Sequence, residues 1–310
     1  MVGSSIVRRF VLNGYKNLQY PSSDILDLVE QRQVEEYFEL EKPEVVILAA
    51  AKVGGIAAND KFRAQFIYQN LMIEANIIHA AFRQGVRKLV FLGSSCIYPR
   101  IAPQPMKEEY LLSGPLEVTN EPYAIAKIAG IKLCESYYRQ YGCNFFSIMP
   151  TNLYGPNDNF DLEASHVVPA MIRKFHEAKI NSKDSVILWG TGKPRREFMF
   201  VDDLADAVAF LAENYDASDF YEQGISHINV GTGVDIEIAE LAMRIAALAA
   251  FEGRIEYDPC KPDGMPRKLL DVARIEGLGW RHSTELDDGL KRTYDWFLRT
   301  GIQAWDSNHV

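Results

Sequence analysis

Tyr123 and Lys127 lie four residues apart, just after Asn120-Glu121-Pro122. Asn is a favoured helix N-cap and Pro is tolerated in the first turn, so both residues are expected on one helix. Residues i and i+4 share a helix face, which lets a phenol and an ammonium reach the same pocket. A neighbouring ammonium stabilises phenolate and is expected to bring the tyrosine pKa down towards neutrality. A tyrosine in that state gives a proton to a carbonyl, or takes one from a hydroxyl, as a hydride moves. Alone, Y-x-x-x-K is also the pattern of an ordinary solvated helix face, so its meaning rests on the elements around it.

The first half of the chain alternates short apolar runs with helical patterns. Val45 to Ala49 has strand length, residues 62–84 carry Phe66, Ile67, Asn70, Ile73 and Ile77 at helical spacing, and Leu89 to Leu92 is a second strand-like run. Residues 121–141 read as a helix and Phe145 to Met149 as a strand. Continuous apolar strands alternating with helices predict a parallel sheet covered on both faces, the doubly wound α/β class. Ligands of such sheets bind beyond the carboxyl ends of the strands. Three strand ends are therefore of interest: Ala49-Ala50-Ala51-Lys52-Val53-Gly54-Gly55, Gly93-Ser94-Ser95-Cys96, and Pro150-Thr151-Asn152-Leu153-Tyr154-Gly155-Pro156. Ser94 is placed to hydrogen-bond the oxygen that Tyr123 protonates. The small residues of the other ends let a cofactor lie close to the backbone.

Past residue 150 the pattern loosens. Residues 165–179, 201–214, 235–250 and 284–299 look helical, and Val186 to Trp189 and Ile228 to Val230 look like strands, with Pro259, Pro262 and Pro266 marking a loop-rich stretch. A smaller C-terminal lobe grafted on the sheet domain is expected. Gly190-Thr191-Gly192 and Gly231-Thr232-Gly233 each follow a strand-like run but lack a third glycine, and read as turns. The chain opens on Ile6, Val7, Phe10 and Val11 at helical spacing, and Gly3 fits the last glycine of a G-x-x-G-x-x-G turn.

The formal net charge of −9 and the lack of a Lys/Arg run argue against sequence-independent nucleic-acid binding. A few placed cations still suffice for a diphosphate. Cys96, Cys134, Cys143 and Cys260 have neither disulfide-framework nor zinc-ligand spacing, so no metal is expected. No apolar run reaches transmembrane length and no signal peptide precedes Arg8-Arg9, so a reducing cytoplasmic setting is expected.

Longer segments carry a resemblance. LAAAKVGGI at 48–56, FIYQNLMIEANIIHAA at 66–81, FLGSSCIYP at 91–99, NEPYAIAKIAGIKLCESY at 120–137, PTNLYGP at 150–156, SHVVPA at 165–170, REF at 196–198, VDD at 201–203, SHINVGTG at 226–233 and KPDGMPRKLLD at 261–271 resemble the extended short-chain dehydrogenase/reductase family. Within it they are most similar to its GDP-sugar epimerase-reductases, over most of the chain from about residue 44 onward. The resemblance implies NADPH-dependent inversion of C3 and C5, then reduction of C4, on a GDP-4-keto-6-deoxymannose. Tyr123, Lys127 and Ser94 match the reduction triad, and Cys96 and His166 match the acid/base pair of the epimerisations. Lys174, Trp189, Arg196 and Asp263 match substrate-binding positions. Gly3, Leu92, Gly93, Ser94, Ser95, Lys127, Pro150, Thr151, Asn152, Leu153 and His166 match cofactor-contacting ones. Residues 1–160 with a returning segment at about 198–232 would form the NADP-binding domain, and 161–197 with 233–310 the substrate lobe. The helix at 66–81 resembles one that packs between two copies, implying a homodimer. Without the resemblance, Cys96 reads as a buried thiol, His166 as a helix-start histidine, Lys174 as a solvated lysine, Trp189 as a core residue, Arg196 as ion-paired and Asp263 as a turn residue.

Two departures accompany it. Relatives open with a strand and a G-x-x-G-M-V-G turn, and this chain begins at the equivalent of the internal Met. The first strand is thus expected to be missing here, with Met1 an internal methionine and a natural start about a dozen residues earlier. After the second strand, where arginines normally grip the 2′-phosphate, the chain reads Tyr20-Pro21-Ser22-Ser23-Asp24. Ser22 or Ser23 can bond a phosphate, and Asp24 equally suits a ribose hydroxyl. NADP(H) stays the expected cofactor. Rival expectations are a related sugar-nucleotide 4-epimerase or 4,6-dehydratase holding NAD, and a non-catalytic relative.

Overall fold

The computed structural model describes residues 1–301 apart from 163, 164 and 262. Pro262, one of the three loop-marking prolines, lies outside the described residues. Helices and strands alternate as follows: α1 Val2–Leu12, α2 Gln31–Glu41, β1 Val45–Leu48, α3 Ile56–Lys61, α4 Arg63–Arg83, β2 Lys88–Leu92, α5 Glu121–Tyr141, β3 Phe145–Pro150, β4 Asn152–Tyr154 and α6 Val167–Ile180. Then come β5 Ser185–Trp189, β6 Arg195–Phe200, α7 Val201–Asn214, α8 Ala217–Tyr221, β7 Ile228–Val230, β8 Asp235–Glu237, α9 Ile238–Leu248, β9 Arg254–Asp258, β10 Arg267–Lys268, α10 Ala273–Gly277 and α11 Leu286–Trp296.

The main sheet runs β1-β2-β3-β7, every pair parallel. Helices α4 and α5 pack together as the crossovers of this sheet, and α1 packs on α7. Strands β2 and β3 are buried at every position, which is why they read as largely apolar runs, interrupted by Lys88 and Ser147. Each fully buried side chain such as Leu89 or Phe91 contributes about 1.5–3 kcal/mol. Strand β1 lies at the sheet's edge and is only partly buried. Among the described residues no strand precedes it. Lys16 to Tyr20, the approach to the expected phosphate-grip region, is irregular; no described strand lies beside it to accept its backbone bonds.

Helix α5 begins and ends where its sequence signals stand. Pro122 sits in the first turn, and Gly142 closes the helix at φ 71°, the left-handed conformation that glycine adopts without strain. The expected helix at 235–250 starts later, at Ile238. Asp235–Glu237 is instead drawn into an antiparallel pairing with β6, where Asp235 binds Arg195 at 2.9 Å and also Arg267. Helix α2 carries its signal in Val34 and Phe38, an i,i+4 apolar pair that is almost fully buried.

A second core gathers Phe175, Phe200, Leu241 and Tyr294 from α6, β6, α9 and α11, with Phe160 before α6 and Phe297 just after α11. Leu270 to Trp280 packs back into the core of the main sheet. The two regions are joined through Glu197 on β6, whose side chain is fully buried. Its carboxylate accepts from Thr232 N at 2.5 Å, Gly233 N at 2.9 Å and Leu270 N at 2.9 Å. A Cβ on Gly231 would stand 2.2 Å from Glu197 Oε1, so only glycine allows that approach. Glu197→Ala removes the buried acceptor of three backbone donors and is expected to cost about 3–5 kcal/mol, read as a lower midpoint in urea. A midpoint equal to that of the parent would show these donors to be satisfied elsewhere. None of the described helices is long and apolar enough to cross a membrane.

Candidate active site

The strand ends of β1, β2 and β3 open into one cleft of about 2050 Å3. Its walls include the starts of α1, α5 and α6 and the β5–β6 and β10 regions of the second core. That volume exceeds the range of about 300–1,000 Å3 usual for one small ligand, and leaves room for two. The residues matched to catalytic, cofactor and substrate roles all line it; of the phosphate-grip candidates Ser23 lines it, and Ser22 and Asp24 do not. Ser94, Cys96, Tyr123, Lys127 and His166 face it, as do Gly3, Leu92, Gly93, Ser95, and Pro150 to Leu153. Lys174, Trp189, Arg196 and Asp263 line its other end.

Tyr123 is reached by the Ser94 hydroxyl, which also hydrogen-bonds Cys96. The backbone N–H of Cys96 donates to Ser94 Oγ at 3.5 Å, so one serine stands between the phenol and the loop that carries the thiol. The loop is fixed from behind: Tyr98 donates to Asn229 Oδ1 at 2.5 Å and meets His227 Nε2 at 2.7 Å. Lys127 departs from expectation. Its ammonium donates to Leu92 O at 3.0 Å and pairs with Glu74 at 3.1 Å, with the Tyr123 ring centroid 5.9 Å away. The tyrosine pKa is accordingly not lowered. Burial raises it well above 10, and the charges of Cys96 and Glu74 push the same way. The phenol therefore stays protonated at neutral pH, the form that donates.

Cys96 and His166 also stand farther from neutrality than their residue types suggest. Burial pushes the thiol up, opposed by Lys268 and by the Ser94 bond. His166 occupies the N-cap position of α6 without a side-chain cap bond, its ring open to the cleft, and the enclosing walls and Lys268 lower its pKa, leaving a neutral imidazole. Lys268 is the residue that sequence reasoning missed. Strand β10 places it opposite Arg196, and the cleft's desolvation brings it down to about 8. Its signal was one cation among Lys261, Arg267 and Lys268 in the Pro-rich stretch, with nothing to set it apart from the other two. Lys268→Met removes a cation that favours the thiolate, so the Cys96 titration should move to higher pH. The ultraviolet thiolate absorbance, measured against Cys96→Ser, checks it; an unmoved midpoint means that Lys268 does not act on Cys96.

At the far end the ordinary structural readings divide. Trp189 is 50% exposed, with Lys261 5.3 Å above its ring, so it is no core residue and offers a stacking face. Arg196 makes no carboxylate ion pair among the described residues. It donates to backbone oxygens of Arg195 and Asp263, and burial lowers it to about 10. Among the described residues Lys174 reaches Ile187 O, at 3.4 Å, and burial lowers its pKa too. Asp263 is committed to a turn: its oxygens accept from Thr191 N at 2.7 Å and Thr191 Oγ1 at 2.8 Å. The Gly190 and Gly192 turn that it braces has φ of 80° and 76°.

Comparison with known proteins follows the same lines. Residues 1–231 match the model of the NAD dependent epimerase/dehydratase family. A curated GDP-L-fucose synthase of Escherichia coli is 55% identical over 302 residues, covering 96% of this chain and 94% of that one. A GDP-6-OMe-4-keto-L-xylo-heptose reductase from C. jejuni superposes with a TM-score of 0.91 at 41% identity, over 96% and 94% of the two chains. A GDP-L-fucose synthetase of Naegleria fowleri bound to NADP superposes with a TM-score of 0.87 at 27% identity, over 97% and 92%.

Proposed function

This chain belongs to the NAD dependent epimerase/dehydratase family, and from that premise we propose that it performs the GDP-L-fucose synthase reaction. It is an NADP-dependent oxidoreductase that also epimerises, taking GDP-4-keto-6-deoxy-D-mannose to GDP-L-fucose. The observation that carries this reading is the joining of two chemistries in one cleft: Ser94 stands between Tyr123 and the loop that carries Cys96, and His166 stands on the same walls.

The residues present fit the cofactor. A Cβ on Gly3 would meet nothing within 4 Å, and α1 begins without a side-chain cap, so its first N–H groups are open to a pyrophosphate. Leu92 to Ser95 and Pro150 to Leu153 would flank the nicotinamide half with Lys127 and His166. Ser23 lines the cleft and would meet the 2′-phosphate in place of an arginine. When bound, the cofactor supplies the hydride that reduces C4. At the other end Arg196 and Lys174 would hold the diphosphate, and Trp189 would stack on the base. Asp263 serves this subsite through the turn that it braces, with a direct bond to the nucleoside requiring it to release Thr191. The cofactor thus belongs to residues 1–160 with 198–232, and the nucleotide sugar mainly to 161–197 with 233–310.

C3 and C5 both flank the C4 ketone, so the carbonyl acidifies the protons on each. One of Cys96 and His166 removes such a proton from one face and the other returns one to the opposite face. These inversions must come first, because reduction removes the ketone that makes them possible. Tyr123 then donates its proton to the C4 oxygen while Ser94 orients that oxygen. The resulting tyrosinate lies on the helix face of Lys127. The same reading makes the protein a cytoplasmic homodimer, with the outer face of α4, where Tyr68 is 58% exposed, as the contact. Incubation with the keto sugar and NADPH tests it: stoichiometric loss of NADPH and formation of GDP-L-fucose are expected, and no NADPH consumption would refute it.

A further inference from the structure

The chemistry above makes no use of Glu74. This residue lies on the inward stripe of α4 with Asn70, Ile73 and Ile77, and is 1% exposed. Its Oε1 stands 3.1 Å from Lys127 Nζ, whose own side chain is 2% exposed. The rest of that ammonium is held by Leu92 O at 3.0 Å and by the Phe91 ring at 4.6 Å. Room for the carboxylate depends on Gly130 of α5. A Cβ there would stand 2.9 Å from Glu74 Oε2 and 2.4 Å from Phe91 Cζ. The pairing is an ion pair without a well-aligned hydrogen bond, and burial holds the Glu74 carboxyl up at about 7 against the pull of Lys127. A buried ion pair rarely stabilises a core more than apolar packing of the same volume. Stability alone therefore gives little reason for a carboxylate here.

We infer that Glu74 is the positioning residue of the proton-transfer centre: its carboxylate fixes the Lys127 ammonium below Tyr123 and offsets part of the charge that the ammonium presents to the phenol. The role given to Tyr123 rests on the proposed reaction; the contact itself does not. The titratable groups that face Glu74 are Lys127, Tyr123 and Cys134, all from α5, while β2 presents only the Phe91 ring and the Leu92 carbonyl. With Glu74 charged, Tyr123 is held in its protonated, donating form. With that charge gone, Lys127 keeps Leu92 O and the Phe91 face, and the phenol loses one of the negative charges that raise its pKa.

The test uses the full chain, Glu74→Gln, and Glu74→Met as a variant of similar length that needs no buried partner. The basic limb of the pH profile of kcat for NADPH oxidation should fall by about one pH unit or more in both variants. KM for the keto sugar should change much less than kcat, and solvent deuterium exchange should slow less than reduction. Glu74→Asp should restore part of the parental profile. An ultraviolet difference titration against Tyr123→Phe reads the same shift without turnover: the Tyr123 phenolate should form at lower pH in Glu74→Gln. An unmoved limb and an unmoved phenolate midpoint would overturn the inference. So would an equal loss of reduction and exchange with a lowered Tm, or failure of both variants to fold, since each makes Glu74 a scaffold residue only. If the parent does not oxidise NADPH, the functional reading fails and the phenolate titration alone decides the inference.

Discussion

Tyr123→Phe is expected to abolish NADPH oxidation, lowering kcat about 10²–10⁴-fold, while solvent deuterium still enters the keto sugar. The variant keeps the ring that packs edge-on to Phe66 at 6.3 Å and loses only the hydroxyl, so the fold should stand. The proton needed at the C4 oxygen then has no donor, because Ser94 can orient that oxygen but does not carry an acidic proton of its own. In the proposed reaction deuterium uptake is the work of Cys96 and His166, whose side chains the substitution leaves in place. Steady-state NADPH absorbance and mass spectrometry of the recovered sugar read the two steps separately. A parental rate of NADPH oxidation in this variant contradicts the role assigned to the phenol.

The converse variant is Cys96→Ser. The hydroxyl replaces the thiol with little change of volume but holds its proton far more tightly, so solvent exchange should fall about 10²–10⁴-fold. NADPH binding, followed by its fluorescence, should persist because the cofactor-side wall is untouched. The overall reaction should slow with exchange, since the epimerised ketone becomes scarce. Exchange at the parental rate in this variant would show that Cys96 is only the buried small residue its position allows, 5% exposed beside a strand end.

These two expectations draw unequally on the sequence. The sheet was legible because β2 and β3 are buried at every position and are apolar apart from Lys88 and Ser147. Helix α5 was legible to the residue because Asn120, Pro122 and Gly142 are local signals for its two ends. The strand ends followed from the sheet, and with them the place of Ser94 and Cys96. Roles for Cys96 and His166 came from the resemblance, since a lone thiol and a helix-start histidine carry no periodic signature. The lowered tyrosine pKa failed for tertiary reasons: burial raises it first, the charges of Cys96 and Glu74 add to that, and the ammonium expected to serve Tyr123 is paired with Glu74 on another helix. That carboxylate showed only as a charge on an inward helical stripe. Lys268 gave still less, because β10 brings it to the cleft by pairing with β6 across 72 residues of chain, Lys268 opposite Arg196. Asp235 shifted a helix start by the same kind of long-range attraction, to Arg195 and Arg267.

The central claim is that one cleft first inverts two carbons and then reduces the ketone between them. It is tested most directly by running the reaction in D2O with GDP-4-keto-6-deoxy-D-mannose and NADPH, then locating deuterium in the product. The account predicts GDP-L-fucose carrying solvent deuterium at both C3 and C5, with one NADPH consumed for each molecule formed. A reduced sugar nucleotide with no deuterium at either carbon would contradict it, because the cleft would then be a C4 reductase and Cys96 and His166 would have no part in the reaction.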